Sequence, residues 1–257
     1  MLTGIDHIVI VVPDLERASD GYRSLGFSVV PGGRHPSLGT HNALVAFADG
    51  SYLELLAFTV ASSPHRWFSI LRAGGGLADF CAVTDDLGAD VGRLRQAGVA
   101  VSEPFALGRE RPDGYRLEWM MATPQDVSAG AIPFLIKDIT PREERVPRQH
   151  AHPNGTAGIR CLSVAVSGAE TARRMYAAVV SGATERCERL DLEANGFSAA
   201  LGAHRVELLS PRSARSPLAR WLDERGAGPF ELTLAGGAAA PGLLDPVAAQ
   251  GARIRIA

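Results

Sequence analysis

Gly4-Ile5-Asp6-His7-Ile8-Val9-Ile10-Val11-Val12, closed by Pro13-Asp14, is the stretch on which the fold turns. It is an apolar, β-branched run of strand length that ends in a turn signal, and it carries one imidazole. Alternation puts His7, Val9 and Val11 on one face and Ile8 and Ile10 on the other. Variants recur at Gly76-Leu77-Ala78-Asp79-Phe80-Cys81-Ala82-Val83, at Gly158-Ile159-Arg160-Cys161-Leu162-Ser163-Val164-Ala165-Val166 and at Gly228-Pro229-Phe230-Glu231-Leu232-Thr233-Leu234. If the four are equivalent strands, their polar slot reads His7, Asp79, Cys161, Glu231.

The segments between the copies follow one plan, β-α-β-β-β. Asp14 is placed to cap a helix through Leu25, with Leu15, Ala18, Tyr22 and Leu25 at helical spacing and Gly26 as its stop. Residues 27–30 read as a short strand broken by Pro31-Gly32-Gly33. Strands over 42–47 and 51–58 flank the Asp49-Gly50 turn. Residues 64–71 look helical and Gly74-Gly75-Gly76 closes them. The second copy predicts strands at 77–83, 99–105, 115–121 and 131–136, with a helix capped by Asp86. Residues 141–156 are charged and aperiodic, which marks a linker. In the third copy Arg205-Val206-Glu207-Leu208-Leu209 repeats Tyr52-Leu53-Glu54-Leu55-Leu56. The fourth ends on residues 252–256, read as its second strand, before strands three and four. The expected division is 1–140, a linker over 141–156, and a degenerate, truncated second domain over 157–257. The missing strands leave a sheet edge, to be covered by the first domain or by a second copy in a homodimer.

Composition narrows the function classes. A length of 257 residues suits two domains. A hydrophobic fraction of 46% with 21% charged residues is that of a soluble globular protein. A net charge of −2 gives no electrostatic case for nucleic acid or a membrane surface. No apolar run approaches the ~20 residues that span a bilayer, and the start lacks a basic, apolar leader, so a cytoplasmic protein is expected. The three cysteines have no C-x-x-C spacing and two lie in apolar strands, against a disulfide framework or zinc knuckle. Lys137 is the sole lysine. The triple glycine precedes a strand, the wrong way round for a nucleotide-binding turn.

Asp6-His7-Ile8-Val9 with Pro13-Asp14-Leu15, Pro31-Gly32-Gly33-Arg34-His35-Pro36, Tyr52-Leu53-Glu54-Leu55 and Pro133-Phe134-Leu135-Ile136 together resemble the glyoxalase-like domain proteins. These belong to the vicinal oxygen chelate superfamily, with glyoxalase I, extradiol dioxygenases, methylmalonyl-CoA epimerase and bleomycin-resistance proteins. The resemblance covers residues 3–140 well and 157–257 more weakly, through the internal repeat. It implies an α+β fold of tandem βαβββ modules pairing into a cup-shaped mixed sheet, four modules with the last truncated. It also implies ligand slots on strands one and four of each module. Those slots are His7, Glu54, Asp79 and Pro133 or Phe134 in the first domain, and Cys161, Glu207, Glu231 and nothing in the second.

The resemblance makes His7, Glu54 and Asp79 a candidate metal set, with Glu54 the family-type base and His7 its catalytic partner. One imidazole with two carboxylates suits Zn, Mn or Mg, with Ni or Fe as further candidates. The set falls short of the two-histidine triad of ring-cleaving oxygenases. Each residue has a plainer reading beside this one. His7 also reads as a satisfied core histidine, Asp79 as a strand-start residue, and Glu54 and Glu207 as carboxylates buried against arginine. His35 and Arg34 on the family motif are expected at the substrate. So are Arg116 and Glu118, if Tyr115, Leu117, Trp119 and Met121 pack on a helix and leave the alternate face to the cup. Arg109 and Arg111 read as rim cations for an anion or as solvated hairpin charge. His150 and His152 could catch a metal adventitiously. The expected function is an isomerase, epimerase or lyase acting on an oxygenated, anionic small molecule in the N-terminal cup, with or without one divalent metal. The alternative is a metal-free binding protein of the bleomycin-resistance kind.

Overall fold

The opening run forms β1 (Leu2–Val11), and its alternation sorts side chains between two interiors. In the computed structural model, which describes residues 2–180, 182–237 and 242–257, the chain continues through α1 (Leu15–Ser24), β2 (Val30–His35), β3 (Thr40–Ala46), β4 (Tyr52–Phe58) and α2 (Phe68–Arg72). Next come β5 (Gly76–Thr84), α3 (Leu87–Gln96), β6 (Phe105–Glu110), β7 (Arg116–Ala122), β8 (Phe134–Asp138) and α4 (Arg142–Arg145). The second half runs β9 (Gly158–Ala165), α5 (Ala169–Tyr176), β10 (Glu185–Arg189), β11 (Ala194–Leu201), β12 (His204–Pro211) and α6 (Pro217–Arg225). It finishes with β13 (Gly228–Ala235), β14 (Gly242–Leu243) and β15 (Ile254–Ile256). Among the described residues no helix is long and apolar enough to cross a membrane.

The first eight strands close into a barrel of order β1-β4-β3-β2-β6-β7-β8-β5. The remaining seven form an open mixed sheet, β10-β11-β12-β9-β13-β15-β14. Val9, Val11 and Leu56 point into the barrel with Trp119, Met121 and Phe134. Ile8, Ile10, Leu53, Leu55 and Phe80 point outward into a core shared with Leu162, Val164, Leu208 and Leu232 of the open sheet. Each such side chain, fully buried, contributes roughly 1.5–3 kcal/mol from water exclusion, so the two halves are held by one interior. α1 and α3 begin where their caps predict, whereas the helix expected over 64–71 is shorter and begins at Phe68. Asp14 accepts from Arg17 N at 2.8 Å and Asp86 from Ala89 N at 3.1 Å.

Several strands depart from the expected boundaries. β2 does not stop at Pro31 but begins at Val30 and crosses Pro31-Gly32-Gly33, with a register shift between Pro31 and Gly33 against β3. Glycine is required there: Gly33 has φ +141°, and a Cβ on Gly32 would lie 2.1 Å from Asn42 Oδ1. The second strand of the next unit is residues 105–110 and not 99–105; Val101 makes only an isolated bridge to Pro124. β8 starts at Phe134, later than expected.

The chain's last strand is also corrected. β4 lies parallel to β1, β8 to β5 and β12 to β9. β15 lies parallel to β13 in the same way. Residues 254–256 therefore hold the strand-four position of the last unit and not strand two, and its fourth slot is filled by Arg255, opposite Thr233.

Residues 141–156 do more than connect. His152 Nδ1 accepts from Ser28 N at 3.0 Å while its Nε2 donates to Ala46 O at 2.9 Å. Its ring meets Phe27 and Phe47 edge-on. Both ring nitrogens are spent on holding this segment to the barrel, so the His150-x-His152 spacing makes no metal site.

Candidate functional site

A β-bulge builds the floor of the barrel cavity. Between β1 and β5 the register jumps from Ile5↔Ala82 to His7↔Cys81, leaving Asp6 unpaired. Such an insertion re-aims a side chain, and here it lets consecutive residues act together: His7 Nδ1 lies 2.6 Å from Asp6 Oδ1. Asp6 is fully buried and braced from α4. Arg145 donates to both of its oxygens at 2.9 Å, and Arg142 donates to Oδ2. Burial alone would raise the Asp6 carboxyl, but the Arg145 charge and the His7 hydrogen bond hold it well below the usual range. Arg145 also binds Asp138 at 2.5 Å and Tyr52 Oη at 2.7 Å. The imidazole stacks on Tyr52 at 4.7 Å and meets the Phe134 edge at 5.4 Å.

With Nδ1 protonated toward Asp6, His7 presents Nε2 to Glu54, whose Oε2 lies 3.5 Å away. Asn42 donates to the other oxygen, Oε1, at 2.5 Å. His35 Nε2 stands 3.9 Å from that same oxygen, and His35 Nδ1 is 3.0 Å from Thr40 Oγ1. Burial lowers His35 to about 4, with Glu54 opposing and Arg109 assisting, so the ring is neutral near pH 7. The cavity above this floor has a volume of about 300 Å³. Its walls include Leu56, Trp67, Leu107, Trp119, Met121 and Phe134.

The expected residues separate into two groups. His7, Glu54 and His35 line the cavity together, and Tyr52 and Leu56 share the Glu54 face as alternation predicts. Asp79 does not join them. It is fully buried in the wall, accepts from Trp67 Nε1 at 2.7 Å and from Phe80 N at 2.9 Å, and pairs with Arg66. Arg34 is exposed on the outer side of β2. Arg116 and Glu118 are corrected by a change of face: Leu117, Trp119 and Met121 point into the barrel, and the two charged residues face solvent. Arg109 was expected before strand three, at the rim; it lies within β6 and lines the cavity, 4% exposed.

Asp6, Asn42, Trp67, Arg142 and Arg145 were not anticipated. Asp6 could have been suspected as a charge inside an apolar strand. Nothing in Arg142-Glu143-Glu144-Arg145 distinguishes it from solvated charge.

The donor sets do not assemble around an ion as expected. Asp79 is committed to Arg66 and Trp67, so His7, Glu54 and Asp79 form no common cage. Asp6, His7 and Cys81 do bring one ligand atom each within 4.8 Å of one another. That carboxylate is already shared by two arginines, and burial raises the Cys81 thiol well above its ordinary value. A metal-binding thiolate would have to form against that burial, so the group fits a divalent ion poorly.

The sequence profile of the Glyoxalase-like domain matches residues 5–180. A hypothetical protein from Staphylococcus aureus is similar over 100% of this chain and 99% of its own, with a TM-score of 0.71 at 16% identity. A variant of 4-hydroxymandelate synthase from Streptomyces coelicolor is similar over 91% of this chain and 72% of its own, with a TM-score of 0.62 at 17% identity. No curated protein matches the chain. At these identities the likeness speaks for the fold.

Proposed function

The chain belongs to the glyoxalase-like domain family, and we propose that its barrel houses a small-molecule enzyme that moves a proton beside a carbonyl or hydroxyl group. The observation that carries this reading is the approach of His7 Nε2 to Glu54 Oε2, 3.5 Å apart on the floor of an apolar cavity. Asn42 occupies Oε1 of Glu54 and leaves Oε2 as the base. Glu54 takes the proton from the carbon next to the substrate's carbonyl, and the electron pair moves onto the carbonyl oxygen. Returning the proton to the neighbouring carbon gives an isomerase, a step for which the Glu54–His7 pair suffices; an epimerase needs in addition a second proton donor on the carbon's other face. His7 lies beside Oε2 and can accept that proton on Nε2, because Asp6 fixes the tautomer and stabilises the imidazolium. The apolar walls exclude water and strengthen these interactions.

A second reading, ligand binding without turnover, draws on the fourth slot, where Phe134 offers a ring and no donor. Deuterium wash-in separates the two. A panel of 2-oxo and 2-hydroxy acids incubated with the full-length protein in D2O is followed by proton NMR. Exchange at the carbon beside the carbonyl or hydroxyl, reduced at least ~100-fold by Glu54→Gln, supports the enzyme. Exchange that survives Glu54→Gln removes Glu54 as the base, and none in any acid despite saturable binding leaves the binding protein.

A further inference from the structure

Proton transfer leaves one cation of the cavity without a task. Arg109 is 4% exposed, yet no carboxylate lies within 4 Å of its guanidinium among the described residues. Its Nη2 donates to Arg145 O at 2.9 Å, its Nη1 reaches Asn42 Oδ1 at 3.5 Å, and its Nε has no partner. A buried guanidinium without a directly paired carboxylate is costly. The other arginines lining the cavity do not share this condition: Arg66 is neutralised by Asp79, and Arg145 by Asp6 and Asp138. Glu54 is held off by Asn42, whose amide oxygen faces Arg109 while its NH2 donates to Glu54.

We propose that Arg109 anchors the carboxylate of a small monoanionic ligand whose body is an aromatic ring or a branched aliphatic group. The inference rests on the reading above, which puts the ligand in this cavity, and it deepens that reading by naming the class. Glu54 acts on Arg109 only across Asn42 and makes no contact with it, so the guanidinium keeps room for one directly paired negative charge, which favours a monocarboxylate over a phosphate dianion. Trp67, Trp119, Phe134, Leu56, Leu107 and Met121 supply apolar and aromatic surface for the rest of the molecule. A volume of about 300 Å³ lies at the small end for ligand sites. His65 adds a donor without adding charge. Its Nδ1 accepts from Trp67 N at 3.3 Å, so the ring proton sits on Nε2, and burial keeps the ring neutral, with a pKa of about 4.

The test is a binding series on the full-length protein, read by the fluorescence of Trp67 and Trp119. The probes are phenylacetate, 3-phenylpropionate and isovalerate, each beside its neutral amide. At least one acid should bind saturably and at least ~10-fold more tightly than its amide, as expected when a buried charge is left unpaired by the neutral analogue. Arg109→Gln should bring the acid down to the level of its amide, and Arg109→Lys should restore part of the preference. Equal affinity for acid and amide, a preference that survives Arg109→Gln, or no saturable binding of any of the three acids overturns the anchor. If Arg109→Gln does not fold, Arg109→Lys decides: a reduced acid preference supports the anchor and an unchanged one overturns it. Acid binding without deuterium exchange would strike the proton-transfer reading and leave the anchor standing; exchange without acid preference would do the reverse.

Discussion

The two halves of the chain lay corresponding rows of side chains across their sheets, one row differing in kind and the next keeping its carboxylates. In the barrel one row runs Tyr52, His7, Cys81, Phe134 across β4, β1, β5 and β8. In the open sheet the same row runs Arg205, Cys161, Thr233, Arg255. The next row pairs Glu54, Val9 and Asp79 in the first half with Glu207, Ser163 and Glu231 in the second. His35 closes the β2–β3 pairing and Arg189 closes β10–β11; Asn42 and Gly196 stand two places further along. Rings and an amide around Glu54 leave a cavity. In the second half Arg189 reaches Glu231 at 2.8 Å, Arg253 reaches it at 2.7 Å, and Ser163 donates to Glu207 at 3.0 Å. Glu54 thus serves a cavity while its counterpart Glu207 is drawn to Arg189, whereas Asp79 and Glu231 are both spent on arginines. The neighbours decide the use.

That contrast can be broken most forcefully at its arginines. Arg145→Met removes the main counter-charge from the buried Asp6 and should cost about 3–5 kcal/mol in urea unfolding. Arg253→Met leaves Glu231 with Arg189 and Arg255, and its own partial exposure screens the loss, so about 1 kcal/mol or less is expected. Equal costs would mean that the halves are braced alike.

The pH dependence comes next in size. His35 titrates near 4 when folded and near 6.5 when unfolded. Between those values the unfolded chain binds more protons, so the His35 contribution is complete above pH 6.5 and lost as pH falls through 4. The full loss is about 3 kcal/mol. Urea midpoints should fall over that range in wild type and fall less in His35→Gln. Arg189, at the matching place in the open sheet, cannot contribute such a limb. An unchanged acid limb in the variant would assign it elsewhere.

Gly32→Ala sharpens the comparison at Asn42, because the added methyl meets Oδ1 at 2.1 Å. Overpacking of about 1–3 kcal/mol is expected, and deuterium exchange should drop further than the melting temperature explains. Intact exchange would show that Asn42 need not hold Glu54. Smallest of all, Arg34→Ala, Arg116→Ala and Glu118→Ala should stay within about 0.5 kcal/mol of wild type and leave exchange as it is; a large loss in any of them would return that residue to the site.

Much of the barrel was legible because successive side chains of a strand point to opposite faces with a period of two, whichever interior each face meets. His7, Val9 and Val11 separate from Ile8 and Ile10 on that basis, and Glu54 follows Tyr52 and Leu56. The bulge at Asp6 breaks the period, which hides the partnership of two adjacent residues. Arg116 and Glu118 were misplaced by assuming that the apolar side of β7 meets a helix, when it lines the barrel. β15 was too short for its three residues to reveal a parallel pairing. Arg142 and Arg145 read as solvated charge because their partner is 136 or more positions away in sequence.

The short helix that carries those two arginines sets a rule for anyone who would borrow the barrel. A fragment ending at residue 140 would contain all eight strands and still be chemically incomplete, with Asp6 stripped of both guanidinium groups. Its outer face, Ile8 to Phe80, would also meet water where the open sheet now covers it. A transplantable unit must therefore extend at least through Arg145 and bring its own cover for that face. The barrel's walls are local, but the charge that makes its floor habitable is imported.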